Sequence, residues 1–123
     1  MEWNFKNGIP IYSQIIDEMT MRIASGEYEP GARLPSVREM ATNAGVNPNT
    51  MQRAFAELER SGLVYSERTS GRFVTKDESI LKGLHAKLAG RYFDELEEKL
   101  IRLGMNREEL KAAAKQWLER TGR

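Results

Sequence analysis

Pro30-Gly31-Ala32-Arg33-Leu34-Pro35-Ser36-Val37-Arg38-Glu39-Met40-Ala41 is followed by Gly45-Val46-Asn47-Pro48-Asn49-Thr50-Met51-Gln52-Arg53-Ala54. Gly62-Leu63-Val64 and Ser70-Gly71-Arg72-Phe73-Val74 complete the stretch. Ser36 opens a helix as the first residue of a capping box. Its hydroxyl is placed to accept from the third helical N–H, and Glu39 is placed to reach back. Val37, Met40, Ala41 and Ala44 supply the apolar face, and Gly45 stops the helix. Asn47 then caps a second helix, with Pro48 at the first helical position, where a missing N–H costs nothing. Met51, Ala54, Phe55 and Leu58 make its buried stripe, and Ser61-Gly62 ends it. Leu63 to Glu67 and Arg72 to Lys76 read as two strands joined through Thr69-Ser70-Gly71, with Gly71 free to take the positive φ of a tight hairpin. Two capped helices across a tight turn, followed by a hairpin, predict a winged helix-turn-helix.

Outward from this core, Ile11, Ile15, Met19 and Ile23 recur every four residues. They predict a helix from Pro10 to Ser25, with Tyr12, Ile16 and Met21 widening its stripe and Gly26 ending it. Trp3-Asn4-Phe5 alternates as a short extended segment, and Pro30-Gly31 marks a turn. Beyond the hairpin, Asp77 or Ser79 starts a long helix reaching about Leu103, with Leu81, Leu84, Leu88, Leu96, Leu100 and Leu103 on one stripe and Phe93 beside it. Gly104 ends it. Asn106-Arg107-Glu108-Glu109 is a second capping box, with Met105 and Leu110 as a hydrophobic staple. The last helix carries Leu110, Ala113, Ala114, Trp117 and Leu118. The expected fold is mainly α with a small β-hairpin wing. Residues 1–76 form the winged helix-turn-helix and residues 77–123 a C-terminal two-helix dimerisation region.

The chain has 123 residues, 40% of them hydrophobic and 30% charged, so it has the composition of an ordered domain. Its formal net charge is only +1, but residues 30–76 carry seven basic against four acidic side chains. Acidic residues gather instead in Asp94-Glu95-Leu96-Glu97-Glu98. There is no cysteine, which excludes disulfides, thiolate nucleophiles and zinc fingers. No apolar run is long enough to span a membrane, and Met1-Glu2-Trp3-Asn4 does not begin a secretion signal. A reducing cytoplasm fits this usage. Neither a nucleophile with a base, nor clustered metal ligands, nor a glycine-rich phosphate loop occurs, so neither an enzyme nor a cofactor site is expected. His85, the one histidine, reads as a surface side chain rather than a metal ligand.

The second helix of the motif is expected in a DNA major groove, N-terminus first. Asn47, Asn49, Thr50, Gln52 and Arg53 lie in its opening turns. Asn and Gln side chains match adenine edges, and an arginine fork matches guanine or phosphate. Asn47 and Ser36 are caps first and phosphate contacts second. Arg38 is placed to reach the groove or its lip. Arg68 and Arg72 flank the wing, where they hold the backbone or enter a minor groove, and Gly71 permits close approach. Arg33 and Arg60 read as surface charges or local ion pairs, and Glu57 and Glu59 as the helix end that faces away from DNA.

These residues carry a resemblance. Tyr12, Gln14-Ile15, Ile23-Ala24-Ser25-Gly26, Pro30-Gly31, Leu34-Pro35-Ser36, Arg38-Glu39, Thr50, Ala54 and Leu58-Glu59 follow in order the N-terminal pattern of the GntR family of bacterial transcription regulators. The resemblance covers about residues 9–75. Val46 to Arg53 and the short tail resemble its YtrA subfamily. The resemblance implies a repressor that binds a palindromic operator as a homodimer through its tail. Arg38, Asn49, Thr50 and Gly71 match positions that contact DNA in the family. Val37, Pro48 and Gln52 depart from it, since many relatives carry Glu at the first and Arg at the other two. Arg72 departs from the more usual Thr.

The leucine stripe of the tail packs either against its own chain or against a second subunit, the reading preferred here. Leu84, Leu88, Phe93, Leu96 and Trp117 are the candidate interface residues. Two-fold pairing would set two recognition helices about 34 Å apart, one turn of DNA. Tyr92, Phe93 and Trp117 are the side chains a small-molecule effector pocket would use, although aromatics at helical spacing are more often core. The competing function is a winged-helix module for protein–protein docking without DNA.

Overall fold

The computed structural model describes residues 2–122. Helix α1, Ile11–Ala24, starts after Pro10 and ends where Gly26 turns to φ 82°. Ile15, Met19 and Ile23 are buried along its inner face, while Met21 faces solvent, so the stripe is narrower than its hydropathy suggested. Helix α2, Val37–Ala44, begins at Ser36, whose Oγ accepts the Glu39 amide at 3.1 Å. Only this half of the expected capping box forms; the exposed Glu39 carboxylate does not return to the Ser36 amide. Gly45, at φ 69°, ends α2 in the left-handed region and lets the chain turn within three residues into helix α3, Pro48–Arg60. Asn47 caps α3 by accepting the Asn49 amide at 2.7 Å.

Strands β1, Val64–Glu67, and β2, Gly71–Val74, pair antiparallel, with Tyr65 opposite Phe73 and Glu67 opposite Gly71. The Thr75 amide, bonded to the Leu63 carbonyl, adds one more link at the base of the hairpin. The Tyr65 and Phe73 rings stack with centroids 5.6 Å apart. The stretch after Pro30 is more than a turn. The Gly31 and Leu34 amides bond to the Val74 and Arg72 carbonyls, and the Val74 amide bonds to Ala32. Arg33 therefore bridges Phe73 and runs along the outer edge of the wing.

The core of this unit is built from Ile15, Met19, Ile23, Leu34, Met40, Met51, Phe55, Leu58, Val64 and Val74, each less than 5% exposed. Each large apolar side chain removed from water in this way contributes about 1.5–3 kcal/mol before entropic costs. Residues 2–9 form no strand; they lie on α1 as an arm. Gln14 accepts the Lys6 amide at 2.7 Å and donates to the carbonyls of Lys6 and Ile9. Arg22 is 3% exposed, stands 4.4 Å from the centre of the Trp3 ring, and donates to Glu18 and to the Glu2 carbonyl. Burial works against its charge, but hydrogen bonds to Glu18 and Tyr28 outweigh it and hold its pKa above the ordinary value.

Helix α4, Glu78–Arg102, is capped by Asp77, whose carboxylate accepts from the hydroxyl and amide of Ser79. Two compact units, Met1–Leu84 and His85–Arg123, divide the chain within this helix. The first turns of α4 belong to the first unit because Leu84 is buried and Ile80 Cδ1 lies 3.5 Å from the place a β-carbon would take on Gly62. In the second unit, helix α5, Arg107–Thr121, starts with a complete capping box. Asn106 Oδ1 takes the Glu109 amide at 2.9 Å and Glu109 takes the Asn106 amide at 3.1 Å.

Candidate nucleic-acid interface

The turn at Gly45 throws the start of α3 outward, and the side chains there stand in water. Asn47, Asn49, Gln52 and Arg53 are exposed and Thr50 is half-buried. The Asn47 oxygen is committed to its cap. Asn49 and Gln52 have no side-chain partner among the described residues, so their amide groups keep their full bonding capacity. On α2, Arg38 is exposed and likewise unpaired. Ser36 uses an acceptor lone pair for its cap and retains its O–H to donate.

Two of the expected DNA-facing arginines are engaged within the protein. The Arg53 guanidinium lies over the Tyr12 ring of α1 at 4.8 Å, which holds it at the edge of α3 nearest α1. Arg72 is three-quarters buried. Its Nε stands 3.3 Å from Glu59 Oε1 and its guanidinium lies over Phe55. The same Glu59 oxygen accepts from Ser66 Oγ at 2.8 Å. Glu59 therefore ties both strands of the wing to α3, a part that its place near the helix end did not reveal. Arg68, in the three-residue connection, is exposed, and Gly71 takes φ 106° beside it. Arg60 pairs with Glu57 through two oxygens, as expected of a local ion pair. That bond holds the Glu57 carboxyl below its ordinary range. Arg33 is exposed, as a surface charge would be, and has no such partner among the described residues.

Leu84 and Leu88 are 9% and 7% exposed in the single chain. Phe93, Leu96 and Trp117 are 68%, 49% and 54% exposed. A shallow depression on α4, lined by Glu95, Glu98, Lys99, Ile101 and Arg102, includes none of Tyr92, Phe93 and Trp117. No group of residues suited to a metal ion occurs among the described residues, and no helix is long and apolar enough to cross a membrane.

A helix-turn-helix with open amide groups on its second helix and an open guanidinium on its first, flanked by a hairpin, defines a DNA-binding transcription regulator of the winged-helix class. The sequence model of "Bacterial regulatory proteins, gntR family" matches residues 11–74. The chain belongs to the GntR family. It is 38% identical over 119 residues to the uncharacterized HTH-type transcriptional regulator YhcF of Bacillus subtilis, covering 97% of this chain and 98% of that one. It is 42% identical over 72 residues to the HTH-type transcriptional repressor YtrA of the same organism, covering 58% and 55% respectively. Among solved structures, a GntR family transcriptional regulator from Listeria monocytogenes superposes with a TM-score of 0.82 at 38% identity, over 91% of this chain and 98% of that one. AraR(DBD) in complex with operator ORX1 matches with a TM-score of 0.56 at 29% identity, over 61% of this chain and 96% of that one. The YtrA-like reading and the regulator reading both stand; nothing in these similarities favours a docking module.

Proposed function

We propose that the chain is a cytoplasmic repressor that binds a two-fold symmetric operator as a homodimer. Asn49, Thr50 and Gln52 read base edges, Arg38 and the opening of α3 hold phosphate, and Arg68 and Gly71 meet the backbone beside the wing. The observation that carries this reading is the pair of unengaged amide side chains, Asn49 and Gln52, standing open on the first turns of a helix aimed outward by Gly45. The similarity of 61% of the chain to AraR(DBD), solved in complex with operator ORX1, supports it. Asn47, Ser36 and Arg53 add phosphate contacts at the rim. Arg72 braces the wing from within.

Dimerisation rests on the second unit. Its 39 residues are too few to bury a core of their own, and Tyr92, Phe93, Leu96, Ile101, Trp117 and Leu118 are each at least 46% exposed. So much open apolar surface on two short helices suits a second copy of the chain. Phe93, Leu96 and Trp117 carry the contact; Leu84 and Leu88 are already buried within one chain. Linking two modules raises the effective concentration of the second, which a single recognition helix with few contacts requires.

Selection of bound sequences from random duplex DNA tests this directly. A recovered palindrome, protected in footprinting by a protein that sediments as a dimer, is the expected result. Recovery of no sequence, or of a single asymmetric half-site bound by a monomer, overturns it.

A further inference from the structure

The sequence reads Arg33 as a surface charge or a local ion pair; three observations point to a more specific role. Its backbone bridges Phe73, so it stands on the outer edge of the wing and not in a free loop. Its side chain lies against Gly71: a β-carbon there would stand 3.4 Å from Arg33 Nε and 3.6 Å from Nη2. Gly71 therefore gives the guanidinium room to lie beside the strand start, next to the connection that carries Arg68. Finally, Arg33 is exposed and has no carboxylate or other side-chain partner among the described residues. Every other arginine of the first unit outside α2 and the wing connection is engaged. Arg22 bonds to Glu18, Arg53 lies over Tyr12, Arg60 pairs with Glu57 and Arg72 with Glu59.

We propose that Arg33 makes a DNA phosphate contact on the flank of the wing. It supplies the cation that the sequence attributes to Arg72. A guanidinium held by its backbone bridge and laid along a glycine is partly pre-oriented, so less side-chain freedom is lost when it meets a phosphate. Lying on the wing edge, it grips the backbone without reading a base, so its effect is the same on any sequence.

This inference rests on the DNA-binding reading above, and the test separates the two. The probe is the duplex recovered by selection with the wild-type protein, together with an unrelated duplex of equal length. Arg33→Gln is expected to bind both about tenfold more weakly at low salt. Its slope of log affinity against log salt is expected to be shallower by about 0.9 per bound protomer. Its thermal melting is expected to match wild type, because the side chain is exposed. Arg33→Lys is expected to keep the wild-type salt slope. In contrast, Arg72→Gln is expected to lower the melting temperature with the salt slope unchanged. An Arg33→Gln protein with wild-type affinity and slope, alongside an Asn49→Ala protein that has lost operator preference, overturns this role and leaves the regulator reading intact. Failure of the wild-type protein to bind any duplex overturns both.

Discussion

Asn47 and Asn49 sit two residues apart and do different work. Asn47 spends its oxygen on the Asn49 amide, while the Asn49 side chain projects into water with nothing bonded to it. Asn49→Ala and Arg38→Ala are therefore expected to keep wild-type melting and lose operator affinity. For Asn49→Ala the loss is about 1–3 kcal/mol at the base it reads, measured by fluorescence anisotropy on operator and base-substituted duplexes. Two local carboxyl contacts add to the acid stability. Asp77 is held below its ordinary pKa by the hydroxyl and then the amide of Ser79, and Glu57 by its bond to Arg60. A carboxyl lowered on folding binds protons more readily in the unfolded chain, so stability rises with pH through this range. It is fully present above the ordinary carboxylate value of about 4 and is lost as pH falls through the lowered folded values. Urea unfolding followed from pH 6 to pH 2, a range chosen to span these values, is expected to show this loss. The slope is expected to be shallower in Asp77→Asn.

Among the elements, those closed by contacts between near neighbours in sequence were the legible ones. Gly45 at the end of α2, Pro48 at the start of α3 and the Asn106–Glu109 box of α5 all formed where the residue types demanded. The edge segment at Arg33 was not legible, because Pro30-Gly31 and Pro35 frame it as a loop and its bonding partners lie some forty residues onward in β2. The wing depends on a similarly distant partner. Glu59 receives Ser66 and Arg72 from both strands, so Glu59→Gln is expected to release Arg72 and loosen the hairpin. The expected cost is about 1 kcal/mol of stability, since the groups are partly exposed. Hydrogen exchange should show faster amides from Val64 to Val74 and unchanged amides in α1. Unchanged exchange in the hairpin would remove Glu59 from this role.

At the scale of the whole molecule, the leucine stripe of α4 divides. Leu84 and Leu88 are covered within one chain, whereas Leu96 and, beside the stripe, Phe93 lie open. A charge at Leu88 would strike folding, so the oligomer is better tested at Phe93. For the dimer proposed above, Phe93→Glu is expected to keep the helical fold, to sediment at half the wild-type mass at micromolar concentration, and to lose operator affinity at least tenfold. The sequence by itself determined the helix-turn-helix, its caps, the open face of α3 and the family. Each of these follows from residue types a few positions apart, or from a pattern spread in register along the chain. Only the tertiary structure decided which arginines remain free and which leucines remain open. Glu59 meets Arg72 across thirteen residues and the Arg33 side chain meets Gly71 across the wing. Local spacing carries no record of such meetings, because a charge or an apolar side chain takes its partner from whatever the fold brings beside it.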